Sequence, residues 1–357
     1  LIKIEGEEMK NEILMIGKRA LKSSVAPLSP ILNFRRLRLN QNDPGKILIL
    51  NYHRVVPDIA KAEREAFFGL ITSAETFRRH LKVVRRQYEI LSLDEAVEAL
   101  RGARKLERDG AVITFDDGYR DVYDHALPAL KELEAPATVF VSTAYVGTGR
   151  VLDHDRLYWL VNKAHRLTLS IHTPLIRAGL SWGRASALCA VMDPDQQYEK
   201  LLYQPLSMRE RIMDCLEDFL DERPSYYPPG FETLTWEMIS EMAREGISFG
   251  AHTARHPVLT LEDEVTARRE ITESKRTLEE RLGRPALHFA YPNGAYNDKV
   301  REMVARAGFK TALTCDRRLN RRGDDPLALG RIGLCEESTR GITGRYSETV
   351  ARLRLIV

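Results

Sequence analysis

The chain has 357 residues, 43% of them hydrophobic and 29% charged, with 54 Lys/Arg against 51 Asp/Glu. This composition fits a soluble globular fold of about two ~150-residue domains or one barrel with additions, and a net charge of +3 is too mild to argue for a nucleic-acid partner. The four cysteines (Cys189, Cys215, Cys315, Cys335) form no CxxC pair, which excludes a zinc knuckle or redox motif and fits a reducing compartment; no apolar run approaches the ~20 residues of a membrane span.

Residues 1–45 read as a basic arm. Between Met9 and Asn42, seven Lys/Arg face one acid, Glu12, with leucines and isoleucines interleaved. The plain reading is a solvated segment. The sharper one is an arm that makes peripheral contact with an anionic membrane surface. The apolar stretch Ile13–Gly17 is too short for a signal peptide and runs into Lys18-Arg19. The sequence therefore points to a cytoplasmic address, at the inner membrane surface if the arm binds there.

Short apolar runs then alternate with helical patterns. Strands are expected at 46–52, 111–115, 137–141, 248–251, 287–291 and 310–314, with a weaker one at 329–332. They are continuously apolar, as strands covered on both faces are. Thr72-x-x-Glu75 reads as a capping box before a helix with Phe77, Leu81, Val84 and Tyr88 on one face, and Ser92-x-x-Glu95 opens the next. Thr235 and Asn297 cap helices that stop at Gly246 and Gly308, and a charged helix stops at Gly283. This order implies a parallel sheet. About seven such units suggest a closed (β/α) barrel over 46–146 and 233–357, an open doubly wound sheet being the alternative. Residues 147–232 break the rhythm and read as a largely helical insertion, with a helix around Met208–Leu220 and a Pro-rich turn at 224–230. Its Trp159 and Trp182 are expected in the insertion's core.

The residues that follow the strands carry the chemistry. Asp116-Asp117-Gly118 follows the run at 111–115, His252-Thr253-Ala254-Arg255-His256 follows 248–251, and Pro292-Asn293-Gly294 follows 287–291. His53, in "NYHRVVP", follows the first strand; alone, such a histidine is more often structural. In a parallel barrel all these ends open on one rim. Asp-Asp-Gly is also a common turn, and His-Pro another. Together, however, two His and one Asp supply the N/O ligands a divalent metal needs, with an open position. A second Asp beside them can accept a proton from water acidified by the metal.

Thr114-Phe115-Asp116-Asp117-Gly118 and His252-Thr253-Ala254-Arg255-His256 resemble the TFDDG and H-[ST]-x-x-H motifs of the polysaccharide deacetylases (the NodB homology domain, carbohydrate esterase family 4). The resemblance covers about residues 46–335. It implies a distorted (β/α)7 barrel that hydrolyses N-acetyl groups, sometimes O-acetyl groups, on sugars. Asp116 would be the catalytic base, and Asp117, His252 and His256 would hold a divalent metal, most commonly zinc. A backbone N–H would help the metal hold the oxyanion, and the substrate would be a carbohydrate.

Two family features are missing. The family's R-x-P-x-G motif reads Ala290-Tyr291-Pro292-Asn293-Gly294 here, without the Arg that pairs with the catalytic Asp. The Asn293 N–H can still serve the oxyanion within the Tyr291–Gly294 turn, and Arg331 is the candidate replacement guanidinium. The family's Leu-x-His, source of the general acid, is absent too. A branch resembling the poly-N-acetylglucosamine deacetylases carries a Tyr-His pair on its first strand. Tyr52-His53 matches it, which makes His53 the candidate acid. His154 and Asp155 are read first as a helix cap and only second as substrate contacts. The leading expectation is a metal-dependent deacetylase of an N-acetylated amino sugar in a polysaccharide or glycan precursor. The alternatives are a deformylase or deacylase of a lipid-linked sugar, and a non-catalytic carbohydrate-binding barrel.

Overall fold

The computed structural model describes residues 45–223, 227 and 230–355. Nearly all of the basic arm, and with it the expected membrane contact, lies outside the described residues, as does most of the Pro-rich turn. Among the described residues no helix is long and apolar enough to cross a membrane.

The strands in chain order are β1 (Ile47–Tyr52), β2 (Arg54–Val56), β3 (Ile71–Ser73), β4 (Glu89–Ile90), β5 (Gly110–Phe115), β6 (Ala137–Val141), β7 (Ser248–Ala251), β8 (His288–Ala290), β9 (Thr311–Leu313) and β10 (Ile332–Gly333). The main sheet is parallel, in the order β10-β1-β5-β6-β7-β8-β9, with β4 branching from β5. The segment before β10 joins the sheet's two ends: Leu329 pairs with Leu313 of β9, and Ile332 with Leu50 of β1. The result is a curled (β/α) barrel with seven parallel staves around it, counting 329–333 as one. The last strand thus lies slightly later than the expected 329–332. The small parallel pair β2-β3 and the short β4 were not expected; two or three residues carry too little pattern to read.

Side chains on a strand alternate faces. Leu48, Leu50 and Tyr52 of β1 face the surrounding helices within the large outer core. Ile47 and Ile49 instead join Val112, Phe140, Ala290, Leu313 and Leu329 in a separate cluster inside the barrel, closed below by Leu93, Val97 and Leu100. The same inward register, continued toward the strands' C-terminal ends, turns polar. It runs through Asn51 and His53, Thr114 and Asp116, His252, Cys315 and Arg331.

Helix α1 (Ala74–Gln87) buries Phe77, Leu81 and Val84 as expected, but its cap is Ser73, which accepts from the Thr76 N–H. Thr72 cannot cap, because it is extended within β3 and pairs with Val55. Helix α2 (Leu93–Arg101) does open on the Ser92/Glu95 capping box. The chain between β6 and β7 forms α3 (Asp153–Arg166), α4 (His172–Arg177), α5 (Trp182–Cys189), α6 (Pro194–Leu202) and α7 (Leu206–Leu220). These five helices share their own apolar core, with Leu160, Leu175, Leu201, Ile212 and Leu216 at its centre. Trp182 is not in that core: it is 72% exposed. Trp159 is half-buried, its indole N–H donating to Glu222. Thr235, Asp263 and Asn297 cap the barrel helices α8 (Trp236–Arg244), α9 (Glu264–Leu282) and α10 (Asp298–Arg306).

Candidate active site

A cleft of about 380 Å³ opens where the strands end; His53, Asp116, Asp117, His252, His256 and Asn293 line it. Each is placed by local backbone. Asp116 continues the inward register of β5. Asp117 would ordinarily face the opposite way, but its φ of 71° turns the chain back and brings both carboxylates to one cleft. Gly118 completes this turn at φ 76°, where a Cβ would lie 2.8 Å from Val141 Cγ1. His256 (φ 58°) and Asn293 (φ 55°) are also left-handed. That conformation costs a side-chain-bearing residue roughly 1–2 kcal/mol, which the surrounding fold must offset.

Asp116 is held on both oxygens. Arg331 Nη1 donates to Oδ1 at 2.8 Å and Nη2 to Oδ2 at 2.7 Å, and Asn51 Nδ2 adds 3.1 Å to Oδ2. The Arg331 side chain is itself fully buried and anchored by Nε to the Thr314 carbonyl. Burial alone would raise the Asp116 pKa; the Arg331 charge and neighbouring imidazoles outweigh it and hold the carboxyl well below its usual range.

Asp117 has the opposite surroundings. Burial and the charges of Asp116 and Asp155 push its pKa well above the usual value, and Oδ1 has no hydrogen-bond partner. Around it lie His256 Nε2 at 3.4 Å and His252 Nε2 at 3.6 Å from Oδ1. The His252 Nδ1 faces the Ala290 carbonyl at 2.7 Å, which fixes the ring and turns Nε2 toward Asp117. Burial lowers the pKa of both histidines, so they stand neutral, the form in which imidazole ligates. A carboxylate lacking a counter-charge, with neutral imidazoles around it, fits a divalent cation.

His53 is half-buried at the cleft; burial lowers it to about 4, against the pull of Asp116. Of the Tyr291–Gly294 turn only Asn293 lines the cleft. Tyr291 is on the outward register, buried, its hydroxyl donating to the Leu327 carbonyl and its ring stacked on Tyr296. Pro292 is buried beneath the turn.

The structure overturns the first reading of His154 and Asp155, a helix cap, and adds cleft residues the sequence did not single out. His154 and Asp155 cap nothing: the N-cap of α3 is Leu152, with no side-chain cap, and both side chains are buried, His154 lining the cleft. The Tyr119 hydroxyl lies 2.7 Å from Asp155 Oδ2 and 2.8 Å from His154 Nε2. Cys315 and the apolar wall of Phe67, Leu70, Tyr198 and Leu202 also line the cleft. Asn51 and Cys315 were within reach of the alternation rule, lying two residues before His53 and after Leu313. The wall comes from segments remote in sequence and carries no local signal, whereas the sequence does point to His154, but only as a second reading.

Comparison with known proteins agrees with this architecture. The family model described as polysaccharide deacetylase matches residues 103–312. YxkH of Bacillus subtilis (strain 168), a provisionally named polysaccharide deacetylase, is 21% identical over 308 residues, covering 86% of this chain and 78% of YxkH. Among solved structures, the Streptococcus pyogenes deacetylase PplD, in complex with acetate, is 22% identical with a TM-score of 0.54, over 83% of this chain and 95% of that one. IcaB from Ammonifex degensii is 22% identical with a TM-score of 0.54, over 82% and 93%. A de-N-acetylase from Aggregatibacter actinomycetemcomitans is 17% identical with a TM-score of 0.53, over 80% and 94%. These structures share the fold, the matched segment spans more than half of the sequence and includes the Asp-Asp-Gly and His-x-x-x-His strand ends, and the chain belongs to the polysaccharide deacetylase family.

Proposed function

We propose that this chain is a metal-dependent hydrolase that removes N-acetyl groups from amino sugars of a polysaccharide or glycan precursor, in the manner of the poly-N-acetylglucosamine branch. The carrying observation is the pairing of two adjacent carboxylates with opposite environments, Asp116 locked by Arg331 and Asp117 unpaired among histidines. The similarity to a deacetylase in complex with acetate and to a de-N-acetylase supports the acetamide as the bond attacked.

Asp117, His252 and His256 would hold the cation, with zinc the best match to a mixed imidazole and carboxylate set. When bound, such an ion acidifies water and polarises the acetyl carbonyl. Asp116 accepts the proton of the attacking water. Its pairing with Arg331 keeps it ionised but makes it a weak base, so it depends on that acidification. The Asn293 N–H, presented by the left-handed turn, faces the developing oxyanion. His53 passes a proton to the leaving amine. Being neutral at rest, it takes up the proton that Asp116 received from the water and delivers it to the amine, so that Asp116 and His53 both return to their starting forms.

The test is acetate release from N-acetylglucosamine oligomers and lipid-linked N-acetylated sugars, with and without chelator. Chelation is expected to abolish release and zinc to restore it. His53→Ala and Asp116→Asn are each expected to lower kcat by about 10²–10⁴-fold while the protein still takes up metal. Acetate release unaffected by chelator would sink the metal-dependent reading. Near-normal turnover in His53→Ala would remove the acid role from His53.

A further inference from the structure

Helix α3 opens with Asp153-His154-Asp155. Polar residues in a first turn ordinarily face solvent or bond back to the helix's own N–H groups. Here all three are buried, with exposures of 4%, 4% and 1%, and none caps the helix. Burying an imidazole costs on the order of 1–3 kcal/mol unless it finds partners, so the placement needs a reason.

The surroundings of His154 supply one. Its Nε2 lies 3.6 Å from Asp117 Oδ2, and its ring centroid is 4.8 Å from that of His256. One donor atom each from Asp117, His154 and His256 falls within a 4.8 Å span. Three buried polar atoms of this group have no hydrogen-bond partner: Asp117 Oδ1, His154 Nδ1 and His256 Nδ1. A cation about 2.0–2.2 Å from N and O ligands in tetrahedral array holds those ligands roughly 3.3–3.5 Å apart. The His256, His252 and His154 Nε2 atoms lie 3.4, 3.6 and 3.6 Å from the carboxylate oxygens of Asp117. His252 and His256 face Oδ1 and His154 faces Oδ2, and His154 and His256 are the two imidazoles that share the 4.8 Å span with Asp117. The Tyr119 hydroxyl has one hydrogen and two acceptors in reach, Asp155 at 2.7 Å and His154 at 2.8 Å. A carboxylate is the stronger acceptor, so the hydroxyl's hydrogen goes to Asp155, and His154 Nε2 is open to a cation in the tautomer that carries the ring proton on Nδ1.

We propose that His154 is a protein ligand of the metal centre, a fourth beside Asp117, His252 and His256, delivered by the helical segment between β6 and β7. The inference rests on the metal-dependent reading above. Three imidazoles and one carboxylate suit zinc-class ions and disfavour magnesium and calcium, which prefer all-oxygen shells. Four protein ligands still admit a fifth group, a coordination zinc accepts. The metal then also ties this segment to the barrel, beside the contact in which Arg209 of α7 donates to the His256 carbonyl at 3.0 Å.

The test begins with the wild-type full chain, stripped of metal and reloaded with zinc or cobalt. X-ray absorption of the zinc form is expected to count three histidine scatterers; two would overturn the proposal. In parallel, His154→Gln and His154→Ala are titrated with Co²⁺ and followed by visible absorption, with chelator competition for Zn²⁺ affinity. Both variants are expected to change the cobalt spectrum and to lose more than about 100-fold in affinity, beyond the 10–100-fold typical of removing an indirect support. An unchanged cobalt spectrum in both overturns the assignment and makes His154 a positioning residue. Circular dichroism of the metal-free variants identifies any that fail to fold, and the wild-type count needs no variant. If the wild type takes up neither metal, it is the metal-dependent reading that fails, and that outcome is read from the wild type alone.

Discussion

Asp116 has both carboxylate oxygens occupied by a guanidinium that comes from more than two hundred residues later in the chain. The usual arginine of the R-x-P-x-G turn is Ala290 here, and Arg331 reaches the same carboxylate from the opposite end of the sheet. Two buried charges in this geometry are costly to separate, since removal of one leaves the other unpaired. Arg331→Ala is expected to lower unfolding free energy by about 3–5 kcal/mol and to reduce turnover sharply. Arg331→Lys keeps the charge without the fork and should recover stability more than activity. Denaturant midpoints and kcat on the two variants check this; full activity in the alanine variant would separate Arg331 from the chemistry. His80 is a second buried residue with a measurable signature. Its ring nitrogens lie 3.2 Å from the Tyr52 hydroxyl and 3.1 Å from Thr339 Oγ1, and burial lowers it to about 3 from 6.5. Between those values the unfolded chain binds the extra proton, so this contribution is full above pH 6.5 and is lost as pH falls toward 3. From pH 7.5 to 5.5 the wild type should lose about 1.4 kcal/mol more than His80→Gln, as read by denaturation at the two pH values; equal losses would contradict the neutral, buried state.

At the level of elements, the turn after β8 shows how backbone conformation prepares a site. Tyr291 and Pro292 anchor it in the core, Asn293 takes the left-handed conformation, and Gly294 follows at φ 69°. A Cβ at Gly294 would meet the Cys315 backbone nitrogen at 2.4 Å, and backbone cannot step aside as a side chain can. Gly294→Ala is therefore expected to shift the turn and misaim the Asn293 N–H, lowering kcat by about 10²–10³-fold, the usual cost of one oxyanion donor, with metal affinity preserved. Equal losses of metal affinity and kcat would locate the damage at the ligands instead. The strands show the same economy: one period-two register fills the barrel floor with Ile49, Val112, Phe140 and Leu313, then lines its mouth with His53, Asp116 and His252.

For the whole molecule, local rules and tertiary packing divided the work. The sequence determined a parallel sheet alternating with helices, because continuous apolar runs, capping residues such as Ser92, Thr235 and Asn297, and stopping glycines are local features whose physics acts within a few residues; those patterns left an open sheet as the alternative, and closure is decided by the pairing of Leu329 with Leu313 and of Ile332 with Leu50. It also determined which strand ends carry carboxylates and imidazoles, because chemistry placed directly after a strand faces the barrel mouth whatever the details of closure. Tertiary structure alone decided what those groups meet. Arg331, the replacement guanidinium proposed on the sequence, reaches Asp116 only because the segment at 329–333 bridges β9 and β1. Thr72 yields its cap to Ser73 only because β3 needs it extended. His154 enters the site, and Trp182 leaves the core, only because five helices inserted between two strands dock as they do. Those outcomes depend on contacts between segments far apart in sequence, where side-chain orientation is set by packing that no local pattern records.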